Sequence, residues 1–150
     1  MNEDIGFRTL NKYNVELNLP NQIGYERIAM ACSGTFAKMA GFGAERIEDL
    51  KSAVAEACVN AMQHGNKGRP EARVVVNMNF TNDTFIVSVI DQGEGMPEVP
   101  EFAGVVRIIE ENAPTRGLGV FMIQRLVDNV TFNQMTPEGH KVTMEIKLNK

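Results

Sequence analysis

The sequence is poor in residues that mark several protein classes: it has no tryptophan, two cysteines and two histidines among 150 residues. Cys32, Cys58 and the two histidines do not form a zinc-binding spacing, and two cysteines inside predicted helices do not indicate a disulfide framework. No window approaches the roughly eighteen apolar residues of a membrane-spanning helix. Residues 1–10 lack the apolar segment of a signal peptide. These absences indicate a cytoplasmic protein with reduced thiols.

Positive charge is also scarce. Lys and Arg number 15 against 19 for Asp and Glu, which gives a net charge of −4 and a pI near 5.2. This balance argues against nucleic acid or an anionic membrane as the main partner. The length suits one ordinary domain, and the hydrophobic share of 43% is typical of a globular core. We therefore expect a single domain over residues 1–150, with its core between residues 12 and 148.

The spacing of apolar residues predicts the secondary structure. Strands are predicted at 12–19, 72–80, 84–90, 129–135 and 140–148, and helices at 22–40, 44–64 and 118–128. Residues 84–90 are nearly apolar on both faces, which is typical of a central strand. Because helices and strands are segregated along the chain, we expect an α+β fold, a two-layer sandwich with helices on one face of a mostly antiparallel sheet. The inward-facing residues predicted for the first strand and first helix are Tyr13, Val15, Leu17 and Leu19, then Ile28, Ala31, Cys32, Thr35, Phe36 and Met39.

The helix predicted at 44–64 carries two stripes of side chains. Glu56, Asn60 and His64 follow one another at intervals of four residues and form a polar stripe. A carboxylate, an amide and an imidazole beside the core suggest the wall of a pocket, although an ordinary solvated helix face is an equal alternative on this stretch alone. The apolar stripe, which is the expected core face, consists of Ile47, Leu50, Val54, Ala57 and Ala61.

Two glycine-rich turns are suited to a nucleotide. Asp91 ends the predicted central strand and precedes Gly93 and Gly95. Its carboxylate can accept a hydrogen bond from an exocyclic amine, and the glycines let the backbone approach a flat ring. The second turn opens the last predicted helix, where backbone N–H groups and the helix dipole favour a phosphate. It consists of Gly117, Leu118 and Gly119.

Three side chains near these turns fit phosphate chemistry. Asn60 offers a neutral oxygen to Mg²⁺, which keeps most of its shell as water and phosphate. Glu56, one helical turn away, can take a proton from an attacking hydroxyl. Arg116 can neutralise charge on a transferring phosphoryl group.

The order of these motifs is more specific than any one of them. There is no Walker P-loop, dinucleotide-binding fingerprint or protein-kinase signature set. The combination instead resembles the ATP-binding superfamily of gyrase B, Hsp90, histidine kinases and MutL, which has the Bergerat fold. Residues 47–64 and 117–128 are most similar to the small anti-sigma-factor serine kinases of the general-stress and sporulation type. The resemblance extends over residues 12–148.

The resemblance implies a role for each matching residue. Glu56 would be the general base, Asn60 the Mg²⁺ ligand and Asp91 the carboxylate that recognises the adenine of ATP. Gly93 and Gly95 would let the adenine pack. The remaining implied contacts are His64 beside the ribose and phosphates, Thr143 at an adenine-linked water, and Arg116, Gly117, Leu118 and Gly119 at the β- and γ-phosphates beneath an ATP lid at 96–116.

The resemblance also implies partners. Such a bacterial protein forms a homodimer, sequesters a sigma factor, and phosphorylates a STAS-domain anti-anti-sigma protein on Ser or Thr. Two alternatives remain: a nucleotide-gated binding module without phosphotransfer, and a detached histidine-kinase catalytic domain. Glu56 favours the kinase, because a non-catalytic switch needs no base there. His64 in the polar stripe and His140 in a predicted turn are poor phospho-acceptors.

Overall fold

The computed structural model describes residues 13–93, 115–134 and 139–148. Three α-helices and five β-strands are present in these ranges, together with one π-helical turn that continues the second helix. In chain order they are β1 (Val15–Pro20), α1 (Glu26–Ala40), α2 (Ala44–Asn60), the π turn (Ala61–Gly65), β2 (Arg73–Thr81), β3 (Thr84–Asp91), α3 (Thr115–Leu126), β4 (Asn129–Gln134) and β5 (His140–Lys147).

The strands form one antiparallel sheet in the order β1-β2-β3-β5-β4. The strand predicted to be central, β3, is central. Asn82 and Asp83 connect β2 to β3 with φ angles of 53° and 60°. Two left-handed residues in a two-residue loop match the twist of a hairpin, so Thr81 and Thr84 pair directly.

Helices cover one face of this sheet, which confirms the predicted α+β sandwich. In α2, the predicted core face is buried at Leu50, Val54 and Ala57, while Ile47 packs partly buried against the core. Every second residue of the strands packs against this face of α2, because successive side chains along a strand point to opposite faces of the sheet. The buried strand residues on this face include Val74, Val76, Met78, Phe85, Val87, Val89, Met144 and Ile146.

Helix α1 follows the prediction only in part. Of the predicted inward residues, Cys32 and Phe36 pack partly buried against the core, whereas Ile28 is 48% exposed and Met39 is 79% exposed. The fully buried residues are instead the small ones, Ala29, Ser33, Gly34 and Ala37. The reason is close packing of α1 on α2: a Cβ atom on Gly34 would lie 3.0 Å from the Lys51 side chain. Small residues permit this approach, while Ile28 and Met39 turn outward.

Several element boundaries also differ from prediction. Tyr13 precedes β1 and is 60% exposed, and α1 begins at Glu26 because residues 21–25 form turns. Helix α3 begins at Thr115, so the last two residues of the predicted ATP lid are helical. The rest of that lid, with Gly95, lies outside the described residues. No helix in the described ranges is long and apolar enough to cross a membrane. Both cysteines are free thiols.

Candidate functional site

Helix α2 presents Glu56 and Asn60 one turn apart, and both residues are half-buried. Burial raises the pKa of the Glu56 carboxyl above its ordinary value, since the charged form loses solvation. A carboxylate with a raised pKa is a stronger base when ionised. The predicted polar stripe therefore contains a carboxylate whose surroundings increase its affinity for a proton.

The Glu56 carboxylate lies directly against Gly119 of α3. A methyl group at residue 119 would overlap Glu56 Oε2, so only glycine leaves room for the carboxylate here. Because α3 begins at Thr115 rather than at Leu118, the predicted glycine turn lies within its first turns. The first four N–H groups of a helix have no intrahelical acceptor. This set includes those of Gly117 and Leu118, which suit an anion.

Asp91 is packed between two glycines at the end of β3. Its carboxylate lies against Gly65, where a methyl group would overlap Asp91 Oδ2. The other oxygen, Asp91 Oδ1, accepts a hydrogen bond from the Gly93 N–H at 2.9 Å. A methyl group on Gly93 would overlap the Gly65 carbonyl. Gly65 does not have a left-handed backbone conformation, so glycine is needed at this position for space alone.

The buried amide of Asn66 joins the end of α2 to the Asp91 turn. Its Oδ1 accepts the Gln92 N–H at 2.7 Å, and its Nδ2 donates to Asn21 Oδ1 and to the Arg73 carbonyl, both at 3.0 Å. Asn66 is fully buried. These bonds fix the backbone immediately after Asp91 relative to the preceding helix.

A narrow cavity of about 20 Å³ connects these elements, room for about one water molecule. Asn60, Asp91 and His140 are its polar wall residues. His140 is 4% exposed and is the first residue of β5, so it begins the strand predicted at 140–148 and does not belong to a turn. The apolar wall consists of Ala57, Ala61, Val89, Val120, Ile123, Phe132 and Val142.

The structure brings Asn60 and Asp91 to one cavity and Glu56 to Gly119, whereas two other predicted site residues are not among the described residues that line this cavity. Thr143, predicted at an adenine-linked water, has its side chain on the opposite face of the sheet from Asp91, where its hydroxyl and Ser88 Oγ form a hydrogen bond at 3.1 Å. His64 is not among the described residues that line the cavity. It lies in the π turn, whose wider winding moves it off the line of Glu56 and Asn60.

Two residues of this region were not predicted from the sequence. His140 faces Asp91 because the two are paired directly across β3 and β5. Asn66 follows the π turn and lies between the helix predicted at 44–64 and the strand predicted at 72–80. The register of the last strand would have located His140; no local sequence signal distinguishes Asn66 from a solvent-exposed turn residue.

The described part of the chain contains no cluster of three or more His, Cys, Asp or Glu side chains suited to a metal. This donor set does not fit a cation held by the protein alone. It is compatible with Mg²⁺ bound through one protein oxygen together with water and phosphate, the mode in which Mg²⁺ commonly accompanies nucleotides.

Similar proteins share this architecture. The chain is 33% identical over 147 residues to the serine-protein kinase RsbW of Listeria innocua, which covers 91% of this chain and 88% of the relative. RsbW of Bacillus licheniformis is 33% identical over 115 residues, covering 74% and 70%.

Two solved structures have the same fold. One is the SiaB–SiaC complex of Pseudomonas aeruginosa, with a TM-score of 0.68, 17% identity, and 88% of each chain covered. The other contains the RsbU and RsbW domains of Rv1364c from Mycobacterium tuberculosis, with a TM-score of 0.63 and 19% identity. The match covers 89% of this chain and 32% of that longer one.

Residues 20–146 match the histidine kinase-like ATPase domain. The match includes both glycine turns and the helix that carries Glu56 and Asn60. It implies that the nucleotide is ATP. The chain belongs to the histidine kinase-like ATPase family.

Proposed function

We propose that this protein is an ATP- and Mg²⁺-dependent protein serine kinase and anti-sigma factor. The observation that carries the proposal is the placement of Glu56 against Gly119, with Asn60 one turn away in the wall of the Asp91 cavity. A half-buried carboxylate, an amide oxygen and a helix N-terminus then converge where a nucleotide's phosphates would lie. The 33% identity to RsbW serine-protein kinases supports the same function.

In this proposal each end of the nucleotide has its own residues. Asp91 accepts a hydrogen bond from the adenine amine, while Gly93 and Gly95 leave room for the ring. The start of α3, residues 116–119, holds the β- and γ-phosphates, with the connection at 96–114 as the lid and His64 beside the ribose and phosphates. Mg²⁺, bound by Asn60 and phosphate oxygens, would neutralise charge on the phosphates. Thr143 has no part, because it lies on the other face of the sheet.

Glu56 performs the proton transfer. Its carboxylate takes the proton of the acceptor serine hydroxyl as that oxygen bonds to the γ-phosphorus, and the bond from the γ-phosphorus to the bridging oxygen breaks. The products are phosphoserine and ADP. Burial raises the pKa of Glu56, which makes the ionised carboxylate a better proton acceptor. Arg116 would offset the charge that develops on the transferred group.

The proposed partners follow from the relatives. The acceptor is a STAS-domain anti-anti-sigma protein, and the unphosphorylated acceptor competes with a sigma factor for the kinase. Relatives named RsbW serine-protein kinases and a neighbour solved as a SiaB–SiaC complex support a two-protein switch. Neither nucleic acid nor a membrane surface is a partner in this proposal, consistent with the net charge of −4.

We also propose that the protein forms a homodimer through an apolar surface beside β1. This apolar surface beside the sheet edge includes the exposed side chains of Tyr13 and Met39 and the half-buried ring of Phe36, and β1 is the edge strand there. Met39→Asp is expected to convert the dimer to a monomer in light scattering. Met122→Asp, the same change at an exposed methionine of α3, is the control. A dimer that persists in Met39→Asp excludes this surface.

The deciding experiment follows phosphate transfer from Mg-ATP to purified STAS-domain proteins. We expect Glu56→Gln to bind ATP normally and to transfer at least about 100-fold more slowly, the usual contribution of a general base. Glu48→Gln, an exposed glutamate of the same helix, is the matched control. Normal transfer by Glu56→Gln would refute the base assignment. ATP binding without any transfer by the unaltered protein would favour the nucleotide-gated module.

A further inference from the structure

His140 lies opposite the carboxylate that the proposed function assigns to adenine. Asp91 and His140 are directly paired residues of β3 and β5, and both side chains are 5% exposed. Both line the same cavity. A buried imidazole therefore shares the pocket with the base-recognising carboxylate.

The position of the imidazole is fixed from two directions. Its ring stacks on Phe132 with 6.3 Å between centroids and 20° between planes. The preceding residue, Gly139, donates its N–H to the Gly93 carbonyl at 2.7 Å, which joins the start of β5 to the Asp91 turn. His140 is thus held at the same end of the sheet as Asp91 and Gly93.

The two side chains offer different hydrogen-bonding groups at a short separation. Asp91 Oδ1 accepts the Gly93 N–H, while Asp91 Oδ2 lies 4.0 Å from His140 Nδ1. This distance is too long for a hydrogen bond between them. A carboxylate accepts hydrogen bonds, and an imidazole N–H donates them. The cavity wall therefore carries a hydrogen-bond acceptor, Asp91 Oδ2, and an imidazole nitrogen, His140 Nδ1, that are 4.0 Å apart.

We propose that His140 is a second base-recognition residue, which donates an N–H to the N1 atom of adenine while Asp91 accepts the neighbouring 6-amino group. The inference rests on the proposed ATP site and adds a residue to it. Adenine presents a donor and an acceptor side by side on this edge, and the two side chains are their complements. The cavity walls must separate for the ring to enter, because the space is about 20 Å³.

This pairing would also exclude guanine. Guanine carries an oxygen at position 6 and an N–H at position 1, so its oxygen would face the Asp91 carboxylate and its donor would face the His140 donor. A site built to pair with particular hydrogen-bonding groups discriminates strongly against a ligand that leaves them unpaired. His140 would thus contribute to the choice of ATP over GTP.

The test measures calorimetric Kd values for Mg-ATP and for Mg-1-deaza-ATP, which keeps the 6-amino group but has carbon in place of N1. We expect the unaltered protein to bind 1-deaza-ATP about tenfold more weakly, the loss of one well-placed hydrogen bond. In His140→Phe, which keeps an aromatic ring against Phe132, the two Kd values should become equal. In His140→Gln, which keeps a donor, part of the preference should remain.

The outcomes separate this inference from the proposed function. Equal Kd values in the unaltered protein, or an undiminished preference in His140→Phe, overturn the role of His140 even though ATP binds. The first of these needs no variant, so a folding failure of His140→Phe does not block the test. Absence of ATP binding, or an unchanged ATP affinity in Asp91→Asn, instead refutes the proposed nucleotide site.

Discussion

Glu56 of α2 lies against the backbone of Gly119 in α3, so closely that a single methyl group on residue 119 would overlap its carboxylate. The contact joins the two motifs that the sequence separates by more than sixty residues. It places the proposed base beside the proposed phosphate turn, and it makes residue 119 a sensitive position for testing the site.

Gly119→Ala should displace the Glu56 carboxylate and reduce phosphate transfer by about tenfold or more, the scale of a misplaced catalytic group. Alanine is otherwise the better helix former, so the fold should persist. Transfer assays and far-ultraviolet circular dichroism would report the two effects. Gly43→Ala is the control, since a Cβ there meets nothing within 4 Å. Full activity in Gly119→Ala would contradict the arrangement.

Removing the Glu56 charge should stabilise the protein at neutral pH. Burial raises the pKa of this carboxyl in the folded state above its value of about 4.5 in the unfolded chain. The folded state is therefore destabilised as pH rises from 4.5 through the folded-state pKa, because the half-buried carboxyl must ionise. Below pH 4.5 the carboxyl is protonated in both states and the destabilisation is absent. The melting temperature of Glu56→Gln relative to the unaltered protein should therefore increase from pH 4.5 to pH 7.5. Glu48→Gln controls for the loss of one negative charge from the same helix. A constant difference across this range would argue against burial of the charge.

Asn60→Ala should remove the part of ATP affinity that depends on Mg²⁺. With Mg²⁺ present, the variant should bind ATP several-fold more weakly than the unaltered protein; with EDTA present, the two should be equal, because the protein would supply only one ligand. Titration calorimetry under both conditions measures the difference. Asn60→Asp keeps an oxygen ligand and should restore the Mg²⁺ effect. An undiminished effect in Asn60→Ala would place the ion elsewhere.

Asn66→Ala should destabilise the fold by about 2–4 kcal/mol, because it removes three hydrogen bonds and leaves the Gln92 N–H without its side-chain acceptor. Urea denaturation measures the loss. Asn79→Ala makes the same change on β2, where the side chain has one long bond of 3.5 Å, and should cost less than about 1 kcal/mol. If the two variants lost the same free energy of unfolding, the three hydrogen bonds of Asn66 would contribute no more to stability than the single long bond of Asn79.

The sequence predicted most helices and strands because their apolar periods are strong. The prediction was only partly right about α1, where Cys32 and Phe36 pack against the core as predicted but Ile28 and Met39 are exposed. Apolar periodicity identifies large hydrophobic side chains, so it misses a contact that small residues make where two helices approach closely. Part of the site was also predictable from spacing. Glu56 and Asn60 are four residues apart on one helix, so they lie on the same helix face whatever the tertiary structure.

The part of the site that the sequence did not predict depends on how strands distant in sequence pair with each other. Thr143 and His140 differ by an odd number of positions, so their side chains point to opposite faces of the sheet. Choosing between them requires the register of β5 on β3, which the sequence of β5 does not state. Asn66 is similar, because its partners Asn21, Arg73 and Gln92 come from three separate segments.

The narrowness of the Asp91 cavity has a kinetic consequence. A space of about 20 Å³ cannot admit a purine, so a base can bind only to those molecules in which the walls of the cavity have separated. The observed affinity then equals the intrinsic affinity multiplied by the open fraction. Association would be slower than free diffusion allows. A change that holds the cavity open, such as a smaller side chain at Ile123 or Val142, would speed nucleotide capture without touching a single polar contact.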